Sequence, residues 1–125
     1  MSEPQKIKVL IADDHLSVRL GLKIFLETND DMVIVGEAAN GQQTIALCEA
    51  LRPDVVLMDV KMPIMDGITA TAIITHQHPE IGVVILTNSV PLEVAQAAYQ
   101  AGAKAVLQKT TPPFEIRETI LLAIR

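Results

Sequence analysis

The run Val55-Val56-Leu57-Met58-Asp59-Val60-Lys61-Met62-Pro63-Ile64-Met65-Asp66-Gly67 constrains the fold more than any other stretch of the chain. Four apolar residues precede a single carboxylate, and Pro63 and Gly67 then break the segment. A short apolar run bounded by turn residues reads as a strand buried on both faces, the situation of a central strand in a parallel sheet. Asp59 then stands at the carboxyl end of that strand, where open α/β sheets form their ligand crevice. An ionised carboxylate there needs a cation or hydrogen bonds to offset its lost solvation. The plainer reading is an Asp that caps the following helix.

The rest of the chain supplies a fold for that strand. Ile7–Ala12 reads as a first strand ending at Asp13-Asp14, followed by a helix from about His15 to Thr28 in which Leu16, Val18, Leu20, Leu22, Ile24, Phe25 and Leu26 recur at helical spacing. Met32–Ala38 is a second strand, Asn40-Gly41 a turn, and Gln43–Leu51 a helix with Ile45, Leu47 and Cys48 inward. Arg52-Pro53-Asp54 delivers the chain into Val55–Asp59. A short helix from Ile68 to about Thr75 and a polar connection, His76–Gly82, come next. Val83–Leu86 is a fourth strand ending at Thr87-Asn88-Ser89. Pro91 opens a helix that Gly102 stops. Ala105–Leu107 is a short fifth strand, and after Pro112-Pro113 a last helix runs to Arg125 with Ile116, Ile120, Leu121 and Ile124 on one stripe. Strand and helix alternate five times, which predicts a doubly wound parallel α/β sheet with the flavodoxin-like order 2-1-3-4-5.

At 125 residues, this is expected to be one domain with a real core. The absence of Trp, with one Tyr and two Phe, makes that core aliphatic. A net charge of −5 argues against direct nucleic-acid binding by this chain, because phosphate contacts need a basic face. No apolar stretch is long enough for a membrane helix, and no signal peptide opens the sequence, so the expectation is a cytoplasmic chain with no membrane contact. Cys48 is the single cysteine, which excludes an internal disulfide and reads as a small core residue.

Parallel strands bring their carboxyl ends to one edge. Asp13 and Asp14 end the first strand, Asp59 the third and Thr87 the fourth, and Lys109 follows the fifth. Carboxylates gathered at one place raise each other's pKa. A hard divalent cation removes that conflict, and Mg²⁺ accepts a few carboxylates with water completing its shell. Lys109 adds a fixed positive charge and Thr87 a hydroxyl. Such a set suits a transferring phosphoryl group, with Asp59 as the nucleophile that forms an aspartyl-phosphate.

With these residues in view, the chain resembles the receiver domains of bacterial response regulators in two-component systems. The resemblance rests on Asp13-Asp14-His15, on Asp59 through Gly67, on Thr87-Asn88-Ser89, and on Gly102-Ala103 through Lys109. The Asp-x-x-Met-Pro-x-Met-Asp-Gly form resembles receivers that carry a LuxR-type helix-turn-helix output domain. The likeness implies that Asp59 is the phosphoacceptor of a sensor histidine kinase. It implies that Asp14, Asp59 and the backbone carbonyl of Lys61 ligate Mg²⁺ (or Mn²⁺), with Asp13 acting through water. Thr87 and Lys109 would bind phosphoryl oxygens. Residues 1–125 would form one receiver domain with no output domain among them, a signalling switch rather than an enzyme with turnover of an external substrate. A homodimer and a C-terminal LuxR-type DNA-binding domain belong to the same expectation. Lys61 and Ser89, each two residues past a site residue, are expected to tune the phosphoryl lifetime, with slow self-hydrolysis. Val106 replaces the aromatic that many receivers carry on the fifth strand, which predicts a weakened switch position there.

Three other readings fit less well. A phosphatase of the haloacid-dehalogenase type needs a second Asp two residues after its nucleophile, and Lys61 stands there. A flavodoxin-like cofactor carrier needs a phosphate loop after the first strand, where Asp13-Asp14 would repel the ligand. An interaction module with a vestigial site does not explain the intact Asp14, Asp59, Thr87 and Lys109. His15, His76 and His78 read as solvated, lacking a Cys or third ligand nearby, with His15 placed to tune access to the site. Met58, Met62 and Met65 read as core filling.

Overall fold

The computed structural model describes residues 5–124. Five parallel strands, β1 (Ile7–Ala12), β2 (Met32–Ala38), β3 (Val55–Met58), β4 (Gly82–Thr87) and β5 (Ala105–Gln108), form one sheet in the order β2-β1-β3-β4-β5. The helices between and after them are α1 (Leu16–Glu27), α2 (Gly41–Leu51), α3 (Gly67–Gln77), α4 (Leu92–Gln100) and α5 (Pro113–Ala123). The expected fold and strand order are both present.

Period-two alternation divides the core. In β3, Val55 and Leu57 join Leu26 of α1 and Ile116, Ile120 and Ala123 of α5 on one face of the sheet. Val56 and Met58 join Cys48 of α2, Ala70 and Ile74 of α3, and Ala98 of α4 on the other. All four β3 residues are thus buried, which is why that strand is continuously apolar. Cys48 is fully buried, and loss of solvation pushes its thiol up to about 12. The core is aliphatic, as composition requires.

Several boundaries and faces differ from the sequence reading. The third helix extends beyond Thr75 to Gln77, and Asp66 caps its start by accepting from the Thr69 amide at 2.9 Å. Thr69 also donates its hydroxyl to Asp66 at 2.7 Å. Partial burial works against the Asp66 carboxylate, but these hydrogen bonds outweigh it and hold its pKa below the usual value. On α1, Leu16, Leu20 and Ile24 are exposed while Leu26 carries the core contact, so helical spacing alone did not identify the inward face. Ile124 is also exposed rather than part of the buried α5 stripe. His78 is buried at the end of α3, with Nε2 2.9 Å from Glu49 Oε2, so it is not a solvated residue. Gly102 has φ 104°, the left-handed conformation expected of a glycine that stops a helix.

Candidate functional site

Register assembles the site. Ala12 pairs with Met58 across β1 and β3, and the Asp59 amide continues the ladder by donating to the Ala12 carbonyl at 2.8 Å. Asp13 and Asp59 therefore leave adjacent strands at the same level, and both are buried. Thr87 pairs with Gln108 across β4 and β5, so Lys109 is the next residue beyond the sheet. Its Nζ lies 2.6 Å from Asp13 Oδ2 and 2.9 Å from Asp59 Oδ2. Burial opposes the ammonium charge, but the hydrogen bonds to the two carboxylates prevail and raise its pKa above the ordinary lysine value.

The loop after β3 is clamped to this edge. Val60 donates its amide to Asp59 Oδ1 at 2.7 Å, and Gly67 donates its own to the Val60 carbonyl at 2.8 Å. A Cβ on Gly67 would overlap the Asp59 carbonyl oxygen, so the start of α3 approaches Asp59 only because the residue is glycine. Gly41 makes a similar approach: its amide donates to Met65 at 2.9 Å, and a Cβ there would stand 2.6 Å from that same carbonyl. Between these fixed points Ile64 has φ 69°, a costly conformation for a β-branched residue.

Asp13, Asp14, His15 and Asp59 each offer a donor atom within 4.8 Å of the others. Their carboxylates form a hard donor set of the kind that holds Mg²⁺ or Mn²⁺, so these residues fit a divalent cation. A cavity of about 230 Å³ opens beside Asp59, lined by His15, Lys61, Thr87, Ser89, Pro91 and Val94 among others. The structure thus gathers Asp13, Asp14, Asp59, Thr87, Lys61, Ser89 and Lys109 around one space. Val106 does not line it; it packs on the core beneath α4.

Two residues join the site that the sequence reading did not place there. The His15 ring is not isolated from other ligands: Nδ1 lies 3.0 Å from Asp13 Oδ1 and 3.2 Å from Asp14 Oδ1. Arg19, one turn into α1, donates from Nη1 to the Asp13 carbonyl at 2.6 Å while Nε holds Glu37 of β2 at 3.0 Å. Its position four residues after His15 was the available signal, because that spacing places it on the same helical face.

Residues 9–121 match the family described as the response regulator receiver domain. The chain belongs to that family. It is 45% identical over 113 residues to the transcriptional regulatory protein YhcZ of Bacillus subtilis, covering 90% of this chain and 53% of that one. Among solved structures, the receiver domain of the response regulator NarL from Mycobacterium tuberculosis superposes with a TM-score of 0.92 at 30% identity, covering 97% of this chain and 98% of that one. A LuxR-family DNA-binding response regulator from Staphylococcus aureus superposes at 0.89 with 27% identity, covering 95% of this chain and 99% of that one. Phosphorylation-dependent switching is the general function of receiver domains. The chain spans about half the length of the curated relatives it matches. No helix among the described residues is long and apolar enough to cross a membrane.

Proposed function

We propose that this receiver accepts a phosphoryl group on Asp59 from the phosphohistidine of a sensor histidine kinase. The observation that carries the proposal is the position of Asp59: buried at the end of the central strand, beside two further carboxylates and within 2.9 Å of the Lys109 ammonium. In the transfer, an Asp59 oxygen forms the new O–P bond as the N–P bond of the donor breaks, and the departing imidazole takes up a proton. Lys109 neutralises charge on a phosphoryl oxygen, and the Thr87 hydroxyl donates to another. Asp14, Asp59 and the Lys61 carbonyl hold Mg²⁺ or Mn²⁺, with Asp13 acting through water, and the cation supplies charge neutralisation for the transferring group. Lys61 and Ser89 border the cavity through which water reaches the phosphoryl group, and so set a slow self-hydrolysis. The switch acts in the cytoplasm on a LuxR-type DNA-binding domain following this one, with a homodimer as the responding species. These assignments draw on the family and on the LuxR-family relative.

Intact-mass measurement after incubation with acetyl phosphate tests the reading. The wild-type chain should gain one phosphoryl group only when a divalent cation is present, and Asp59→Asn should gain none. A phosphorylated Asp59→Asn chain with the group mapped elsewhere would remove Asp59 from the role. Lys61→Asn and Ser89→Asp should each change the dephosphorylation half-life, and an unchanged half-life in both would dismiss the lifetime assignment.

A further inference from the structure

We infer that His15 is itself a ligand of the divalent cation, through Nδ1, and that this nitrogen gives the site a preference for first-row transition cations such as Ni²⁺ and Co²⁺ over Mg²⁺. The inference rests on the cation position proposed above. It departs from the oxygen-only ligand set expected for that position.

Backbone geometry fixes the ring beside the carboxylates. The His15 amide donates to Asp13 Oδ1 at 2.8 Å, in the turn between β1 and α1. His15 occupies the N-cap position of α1 in an extended conformation, yet its side chain caps nothing. The ring instead turns back, bringing Nδ1 to 3.0 Å from Asp13 Oδ1 and 3.2 Å from Asp14 Oδ1. A second observation points the same way: His15, Asp59 and Lys61 line one cavity, so the ring borders the space assigned to the cation.

The remaining atoms of the cluster are divided in a way that leaves this edge available. Lys109 takes Asp13 Oδ2 and Asp59 Oδ2, and Val60 donates to Asp59 Oδ1. Asp13 Oδ1, Asp14 Oδ1 and His15 Nδ1 form the other edge. Two carboxylate oxygens within hydrogen-bond reach of Nδ1 place a hydrogen on that nitrogen when no cation intervenes. A cation between them takes the Nδ1 lone pair, and the neutral ring carries its hydrogen on Nε2 instead; no proton is gained or lost. The side chain is 58% exposed, so Nε2–H remains hydrated and the exchange buries no polar group.

Ligand chemistry then sets the selectivity. Mg²⁺ prefers oxygen donors and retains its waters, and gains little from an imidazole. Ni²⁺ and Co²⁺ bind imidazole well and rank above Mn²⁺ for a given nitrogen and oxygen set.

Isothermal titration of Mg²⁺, Mn²⁺ and Ni²⁺ into the wild-type chain, His15→Ala and Asp14→Asn tests the assignment, with visible absorption of bound Co²⁺ as an independent report of a nitrogen donor. Wild type should bind Ni²⁺ more tightly than Mg²⁺. In His15→Ala the Ni²⁺ affinity should fall about tenfold or more, far more than the Mg²⁺ affinity, and the Co²⁺ bands should move. Asp14→Asn should weaken every cation. Equal loss of Mg²⁺ and Ni²⁺ in His15→Ala would make the ring a support for the carboxylates and overturn the inference, as would unchanged Ni²⁺ affinity. If Asp14→Asn binds Mg²⁺ as wild type does, the cation position itself is wrong, an outcome distinct from failure at His15.

Discussion

The Lys109 ammonium reaches from the end of β5 past β4 to stand 2.9 Å from Asp59 Oδ2 at the end of β3. One side chain thereby ties the edge strand to the centre of the sheet through the proposed phosphoacceptor. Removing it leaves Asp13 and Asp59 buried without that counter-charge. Lys109→Ala should therefore lose on the order of 3 kcal/mol of stability in a chelating buffer, and Mg²⁺ should stabilise the variant more than wild type. Because the folded-state pKa of Lys109 is raised, its contribution is complete below the ordinary value of 10.5 and is lost as pH rises through the folded value. Denaturant unfolding at several pH values checks both statements: wild type and variant should converge only in strong alkali, and a constant difference there would contradict the pairing.

Ile64 carries backbone strain with little packing in return. It has φ 69° and is 75% exposed. Asn tolerates the left-handed region far better. Ile64→Asn should stabilise the domain by about 1 kcal/mol, raising Tm by roughly 4 °C. A lower Tm in a scanning calorimeter would show that the exposed isoleucine contributes more than the strain costs.

Cys48 should be chemically silent in the folded chain. With the thiol held up at about 12, almost no thiolate exists at pH 8. Ellman's reagent should label it at the rate of unfolding, and at once in guanidinium chloride. The sign of the shift also predicts a stability that declines as pH climbs from about 9, where the unfolded thiol ionises, toward 12. Fast labelling of the native protein would refute the burial.

A phosphoryl group adds close to two negative charges at Asp59. Val106 is too small and too stiff at χ1 to relay that change by swinging inward. The route left is the backbone from Thr87 to Pro91, which leads from the site into α4. NMR shifts on binding a phosphoryl mimic should be larger over Thr87–Tyr99 than over Ala105–Lys109. The opposite pattern, centred on Val106 and α5, would exclude this route.

The strand ends were legible because each of the inner strands is an apolar run too short for a helix and ends in a polar residue, as Met58-Asp59 and Leu86-Thr87 do. Parallel topology did the rest, since it brings those ends together wherever they lie in the chain. Side-chain environments created by tertiary contact were less legible. His78 is buried because α2 brings Glu49 against it, and nothing local to Gln77-His78-Pro79 announces that. The stripe Leu16, Leu20 and Ile24 has the same spacing as a buried one, and only the docking of α1 through Leu26 decides which face is inward. His15 was visible as a residue beside Asp14, but the return of its ring depends on how the turn after β1 is bent.

The two helices on either side of the site are anchored unequally. Asp66 caps α3 and Gly67 seats it directly on Asp59, whereas α4 starts at Pro91 without a side-chain cap and buries only Ala98 of its nine residues. Almost every position on α4 is therefore free to change in sequence without altering the core or the charged cluster. A lineage of such domains can vary what this helix recognises while preserving its chemistry, and an engineer can rewrite its outer surface to redirect a signal with the phosphoryl site left intact.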